Sequence, residues 1–121
     1  MESKEAAIPE CLFCKIVEGK VPSQKVTETE SVLAFRDIRP QAPTHVLLIP
    51  KRHVAESAAD LGPEHAALLA ELFALASRIA RDERLERGWR LVTNVGDDAG
   101  QSVYHLHVHL LGGRPMGWPP G

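Results

Sequence analysis

Three histidines separated by single apolar residues, His105-Leu106-His107-Val108-His109, constrain this chain more than any other stretch of it. Successive side chains of an extended strand point to opposite faces. The run therefore predicts a strand over 102–111 with His105, His107 and His109 on one face and Leu106, Val108 and Leu110 on the other. The apolar face needs a covering layer. The histidine face needs a chemical reason, because buried ring nitrogens require partners and imidazole changes charge near neutral pH. Such a row is a metal site or a place where protons and nucleophiles are handled. A chance cluster on a solvated face is the bland alternative.

An amphipathic helix is the natural cover, and one is legible. Gly62-Pro63 suits a helix start. Leu68, Leu72, Leu75 and Ile79 recur at helical spacing, with Leu69, Phe73 and Ala76 widening the stripe, and Gly88 closes a charged run over 81–87. Strands are expected at 25–29, Val32–Arg36, 45–49 and 89–95, with Asp37-Ile38-Arg39-Pro40 as a turn and a short helical turn over 14–19 stopped by Gly19. Closely spaced strands favour antiparallel pairing, so the fold class is α+β. His65, in the first turn of the helix, reads as solvated surface. Residues 1–10 read as a flexible tail and 11–121 as one domain, since 121 residues suffice for a sizeable core.

Composition narrows the functional classes. A net charge of -2 gives no electrostatic reason to expect nucleic acid or a membrane surface as partner. No apolar run approaches the roughly 20 residues that cross a bilayer. The N-terminus, with Glu2, Lys4 and Glu5, lacks the apolar stretch of a signal peptide, so a cytoplasmic protein is expected. In a reducing compartment the pair Cys11-x-x-Cys14 points to a metal or redox role before a structural disulfide.

Strand geometry separates the readings of the histidine row. Residues i and i+2 lie about 6.5 Å apart and i and i+4 about 13 Å apart along a strand. One ion holding all three imidazoles is therefore strained, whereas a division of labour, one ring attacking while its neighbours orient it or bind substrate, is not. Gly100-Gln101-Ser102 just upstream offers backbone N–H groups for an anion nest, an amide and a hydroxyl, with Asn94 at the other end of the same loop. A histidine facing an anion nest suggests phosphoryl or nucleotidyl transfer, because neutral imidazole can attack phosphorus and split the reaction in two.

Asn94-Val95-Gly96, Gly100-Gln101-Ser102-Val103 and the row through Leu110-Leu111 together resemble the histidine triad (HIT) family. Val32-Leu33-Ala34-Phe35-Arg36-Asp37-Ile38, Pro43-Thr44-His45-Val46-Leu47-Leu48-Ile49-Pro50-Lys51 and the tail Gly112-Gly113-Arg114 with Trp118-Pro119-Pro120-Gly121 extend the resemblance to its Hint branch. It implies an antiparallel sheet with one long helix and a short N-terminal helix, in a homodimer with a continuous sheet. It also implies a purine nucleoside 5′-phosphoramidate hydrolase acting on AMP or GMP linked to an amine. By motif position His107 is the nucleophile, His109 contacts phosphate and leaving group, His45 orients the nucleophile and Ser102 meets the departing amine. Asn94, Gly100, Gln101 and Val103 fall on the phosphate and ribose side, and Asp37 on the ribose hydroxyls, although it could merely start the turn at Pro40. Leu12, Phe13, Ile16, Phe35, Ile38 and Leu47 match the base pocket, with plain core as the competing reading for Phe35, Ile38 and Leu47. Trp118 belongs to a tail that shapes the site across the dimer.

The resemblance further implies a structural zinc on Cys11, Cys14, His53 and His105, which would leave His107 and His109 to the substrate; reduced thiols without metal are the alternative. Many Hint proteins carry histidine where this chain has Arg36, and a solvated or ribose-adjacent arginine is expected there. Two other functions stay in play: a nucleotide-binding scaffold with vestigial catalysis, and a zinc enzyme using metal-bound water.

Overall fold

A computed structural model describes residues 10–121, so the expected tail lies outside the described residues apart from Glu10. A six-residue helix, α1 (Leu12–Val17), is followed by strands β1 (Lys25–Glu28), β2 (Val32–Arg36) and β3 (Thr44–Pro50). The long helix α2 (Ala66–Asp82) comes next, then β4 (Trp89–Val92) and β5 (Val108–Gly112). The strands form one antiparallel sheet in the order β1-β2-β3-β5-β4. The fold is α+β, as the sequence predicts. Among the described residues no helix is long and apolar enough to cross a membrane.

The sheet is covered on both faces, and alternation assigns each residue to one of them. Val32 and Ala34 of β2, Val46 and Leu48 of β3, and Val108 and Leu110 of β5 pack against Leu72, Leu75, Ala76 and Ile79 of α2. Complete burial of a side chain such as Leu72 or Ile79 contributes about 2 kcal/mol. On the opposite face Leu33, Phe35, Leu47 and Ile49 pack around Phe13 of α1, with Ile16 and Val103 at the margin. Asp37, the residue after Arg36, falls on this second face with Phe35, and the β3 register sets His45 beside Leu111 and Leu47 beside His109.

Four local expectations are corrected. The helix does not run to Gly88. It ends at Asp82 because Arg84 takes a left-handed conformation (φ 59°), with Arg84 N–H donating to Arg81 O at 3.0 Å and Leu85 N–H to Ala80 O at 2.9 Å. That is the Schellman stop, here without the usual glycine. Phe73 lies 54% exposed rather than in the buried stripe. His65 is half-buried, and its Nδ1 accepts from Gly62 N–H at 3.0 Å across the Pro63–His65 turn that precedes α2, so it holds the helix entry. Arg36 is neither loose nor beside the ribose position: alternation sends it to the helix face, where it makes a two-pronged pair with Glu83 at 2.8 and 3.2 Å.

Arg36 holds the Glu83 carboxyl below its ordinary 4.5. A depressed carboxylate stabilises the fold above the unfolded-state pKa and loses that contribution as pH falls through the folded-state value. Glu83→Gln should therefore lower stability by about 1 kcal/mol at neutral pH. The gap to the parent protein should narrow as melting is followed below 4.5; a gap that widened would refute the pairing.

Candidate active site and metal centre

The histidine strand begins later than its alternation suggests. Only Val108–Gly112 joins the ladder, and 102–107 run irregularly. Two diversions explain this. Leu106 N–H donates to Ala55 O at 2.9 Å, and the Thr93 hydroxyl, just past the end of β4, donates to His107 O at 2.7 Å. With the ladder interrupted, His105 turns inward to complete burial, while His107 and His109 stay beside each other with ring centroids 5.2 Å apart.

His105 meets the two cysteines. Its Nδ1 lies 3.3 Å from Cys11 Sγ and 3.6 Å from Cys14 Sγ, and His53 Nδ1 lies 3.5 Å from Cys14 Sγ. Tetrahedral zinc with ordinary Zn–S and Zn–N bonds sets sulfur and nitrogen ligands about 3.5 Å apart. The protonation pattern also fits. His105 Nε2 sits 2.8 Å from Pro50 O, which can only accept, so the ring proton is on Nε2 and Nδ1 offers its lone pair to the cluster. Cys14, His53 and His105 are all at least nine-tenths buried, and four protein ligands leave no open coordination position. This is the arrangement of a structural zinc site rather than of a catalytic one.

His107 is arranged differently. Its Nδ1 lies 2.8 Å from the carbonyl of His105 and must donate to it, so the lone pair is on Nε2. Phe13, one of the two residues between the cysteines, sets its ring edge-on to His107 with centroids 5.0 Å apart. His45 Nε2 lies 2.9 Å from His109 Nδ1, so the bond of His45 runs to His109 and not along a direct line to His107. Burial is the main cause that keeps all four rings neutral: it lowers His45 and His107 below 6.5 and pushes His105 and His109 down to about 4.

The remaining expected residues divide by how their atoms are used. Asp37 starts the turn considered for it and also faces a histidine. Oδ1 accepts from Arg39 N–H at 2.8 Å, starting the turn, while Oδ2 faces His45 Nε2 at 3.4 Å. Gln101 braces the loop that carries the other expected phosphate-side residues. Its buried amide accepts from Gly96 N–H and donates to Glu56 O and Val103 O. Phe35 and Leu47 are buried core on the site face, whereas Ile38 is 91% exposed and Leu12 is exposed. Ser102 and Gly100 are exposed and Asn94 is half-buried, two residues past Val92, which pairs with His109. Trp118 is 84% exposed in the tail. Thr93, Pro50 and Gln41 hold the histidines through groups that no motif advertises, two of them through the main chain.

The centre yields a metal test. Cys14→Ser should abolish retention of zinc through purification, read by elemental analysis, and lower the melting temperature, since a structural site contributes its binding energy to folding. Full zinc content in that variant would refute the ligand set.

The HIT domain model matches residues 18–116. A maize protein described as a 14 kDa zinc-binding protein is 51% identical over 111 residues, covering 91% of this chain and 87% of its own. The Arabidopsis thaliana protein named adenylylsulfatase HINT1 is 48% identical over 111 residues, covering 91% of this chain and 76% of its own. A crystal structure of a HIT family hydrolase from Legionella pneumophila superposes with a TM-score of 0.89 at 54% identity, covering 93% of this chain and all of that one. Matched by the HIT domain model over most of its length and superposing on a HIT family hydrolase at 54% identity, the chain belongs to the HIT family.

Proposed function

We propose that this protein is a nucleotide hydrolase that cleaves purine nucleoside 5′-phosphoramidates through a covalent intermediate on His107. One observation carries the reading: the His105 carbonyl takes the Nδ1 proton of His107, leaving a neutral imidazole with its Nε2 lone pair as nucleophile. In the reaction Nε2 attacks the α-phosphorus while the P–N bond breaks. The amine leaves with the bonding pair and takes a proton from solvent at the exposed Ser102 hydroxyl. Water then attacks phosphorus and the P–Nε2 bond breaks. Nucleoside monophosphate departs, the imidazole is restored and the surplus proton returns to solvent.

The other residues fit this scheme by position. Ile38 and Leu12, exposed and apolar, form the lips of a purine slot backed by Phe35, Leu47, Phe13 and Ile16. Asp37 Oδ2, unused by the turn, is a ribose acceptor. Asn94, Gly100 and Val103 flank the phosphate. Zinc held by Cys11, Cys14, His53 and His105 would anchor the His105 peptide. The Arabidopsis relative's name points to adenylyl sulfate for that protein. A phosphoramidate and an adenylyl sulfate share the adenylyl group and differ in what leaves.

Brief exposure to an AMP-amine followed by peptide mass spectrometry should find the nucleotidyl group on His107, and His107→Ala should lose turnover. Turnover retained in that variant, or an adduct elsewhere, would overturn the assignment. Adenylyl sulfate assayed in parallel ranks the two leaving groups.

We further propose a homodimer built on β4. This strand is a sheet edge, Trp89 on it is 39% exposed, and Arg90 donates to Gly117 O at 3.0 Å, which ties the Trp118 tail to the same edge. An exposed edge strand is a template for pairing. Sedimentation should return twice the chain mass at micromolar concentration, and a monomer there would refute the arrangement.

A further inference from the structure

We infer that Cys11 and Cys14 are a redox-sensitive pair: a hydroperoxide joins them in a disulfide, which withdraws two metal ligands and shifts Phe13 against His107. The sulfurs already converge. They lie 3.3 and 3.6 Å from the same nitrogen, His105 Nδ1, and the four ligand atoms of the cluster all stand within 4.8 Å of one another. Cys14 N–H donates to Cys11 Sγ at 3.3 Å, so the Cys11 side chain folds back over the turn towards Cys14. A sulfenic acid formed beside a second thiol condenses with it to a disulfide, whereas a solitary one is open to further oxidation.

The two sulfurs are reached unequally. Cys14 is 2% exposed and Cys11 is half-buried. A cavity of about 520 Å³ lined by Cys11, His53, Ser102, Val103 and Tyr104 opens beside the cluster and gives a small molecule a path to Cys11. The chemistry follows that order. Cys11 Sγ, a thiolate when it ligates metal, attacks one peroxide oxygen, the O–O bond breaks and hydroxide leaves, giving a sulfenic acid. Cys14 Sγ then attacks Cys11 Sγ, the S–O bond breaks, a second hydroxide leaves and the S–S bond forms. The sulfur pair loses two electrons and the peroxide gains them. The two hydroxides balance the charge of the dication that the site releases. Disulfide sulfur is not a thiolate ligand, and His53 and His105 alone are half of a structural zinc set.

Phe13 carries the change to the rest of the α1 face, because it lies inside the turn that the bond closes. Residues three apart in a helical turn hold their β-carbons about 5–6 Å apart, and a disulfide brings them to about 3.5–4.5 Å. The turn therefore tightens around Leu12 and Phe13. The Phe13 ring meets Phe35, His105 and His107 edge-on, with centroids 5.6, 5.9 and 5.0 Å away, so its displacement is felt at all three.

The test starts from the reduced, zinc-loaded protein and uses hydrogen peroxide. Intact mass spectrometry should show a loss of two hydrogens per chain, both cysteines should resist alkylation, and a chromogenic chelator should collect the zinc. A thiol reductant with added zinc should reverse all three. Peroxide that instead leaves oxygen on the chain, links two chains or leaves both cysteines open to alkylation overturns the pair as a switch. With 15N-labelled histidine, the His107 ring signals should shift on oxidation and return on reduction. Unmoved signals beside a formed disulfide overturn the coupling. In Phe13→Leu the disulfide and zinc release should persist while the His107 shift shrinks to a fraction; an undiminished shift overturns the route through Phe13. Turnover of an AMP-amine should fall several-fold on oxidation and recover with reductant, and this readout alone rests on the function proposed above. No turnover in the reduced protein would defeat that function and leave the mass and the spectrum to judge the switch.

Discussion

The buried ring of His105 is the joint on which the site depends. It has three attachments, each using a different atom. Nε2–H is fastened to the Pro50 carbonyl at the end of β3, Nδ1 is turned to the cysteine pair, and its own carbonyl receives the His107 proton. Moving this residue would disturb the metal cluster, the β3 terminus and His107 together. Burying an imidazole completely is costly unless both nitrogens are satisfied, and here both are.

The two faces of the sheet do separate work because β-strand alternation keeps them separate. The α2 face is apolar and continuous, and it closes at one edge with the Arg36–Glu83 pair. The α1 face carries a smaller core in which Phe13 touches Phe35, His105 and His107 in edge-on contacts. One short helix therefore presents the cysteines to the metal cluster and an aromatic wall to His107. Metal binding and the orientation of His107 are mechanically joined through a few residues of contiguous chain.

Much of this is legible in the sequence, and the failures have specific physical causes. Val32–Arg36 reads correctly as a strand because both faces are covered and its residues are nearly all apolar or β-forming. The 102–107 stretch does not, because tertiary hydrogen bonds to Ala55 and Thr93 outbid the ladder that period-two alternation promises. The end of α2 is misplaced because an arginine occupies the left-handed position that glycine usually marks. Spacing alone singles out the histidines; assembly of Cys11, Cys14, His53 and His105 joins residues up to 94 positions apart and is inferable only by resemblance. Contacts made by peptide groups, such as those from Gln41 and Pro50, leave no trace in residue identity.

That last point bears on how tolerant the site is to change. A nucleophile oriented by a neighbouring carboxylate is one substitution away from losing its partner. Here the groups that set the tautomers of His107 and His45 are a carbonyl and an amide of the main chain, which persist whatever side chain stands at position 105 or 41. Mutational drift can reach the amide only through proline, which deletes the hydrogen. The loop is already flanked by Pro40 and Pro43, so a single shift in proline placement would release His45 Nδ1 from that amide without altering any histidine.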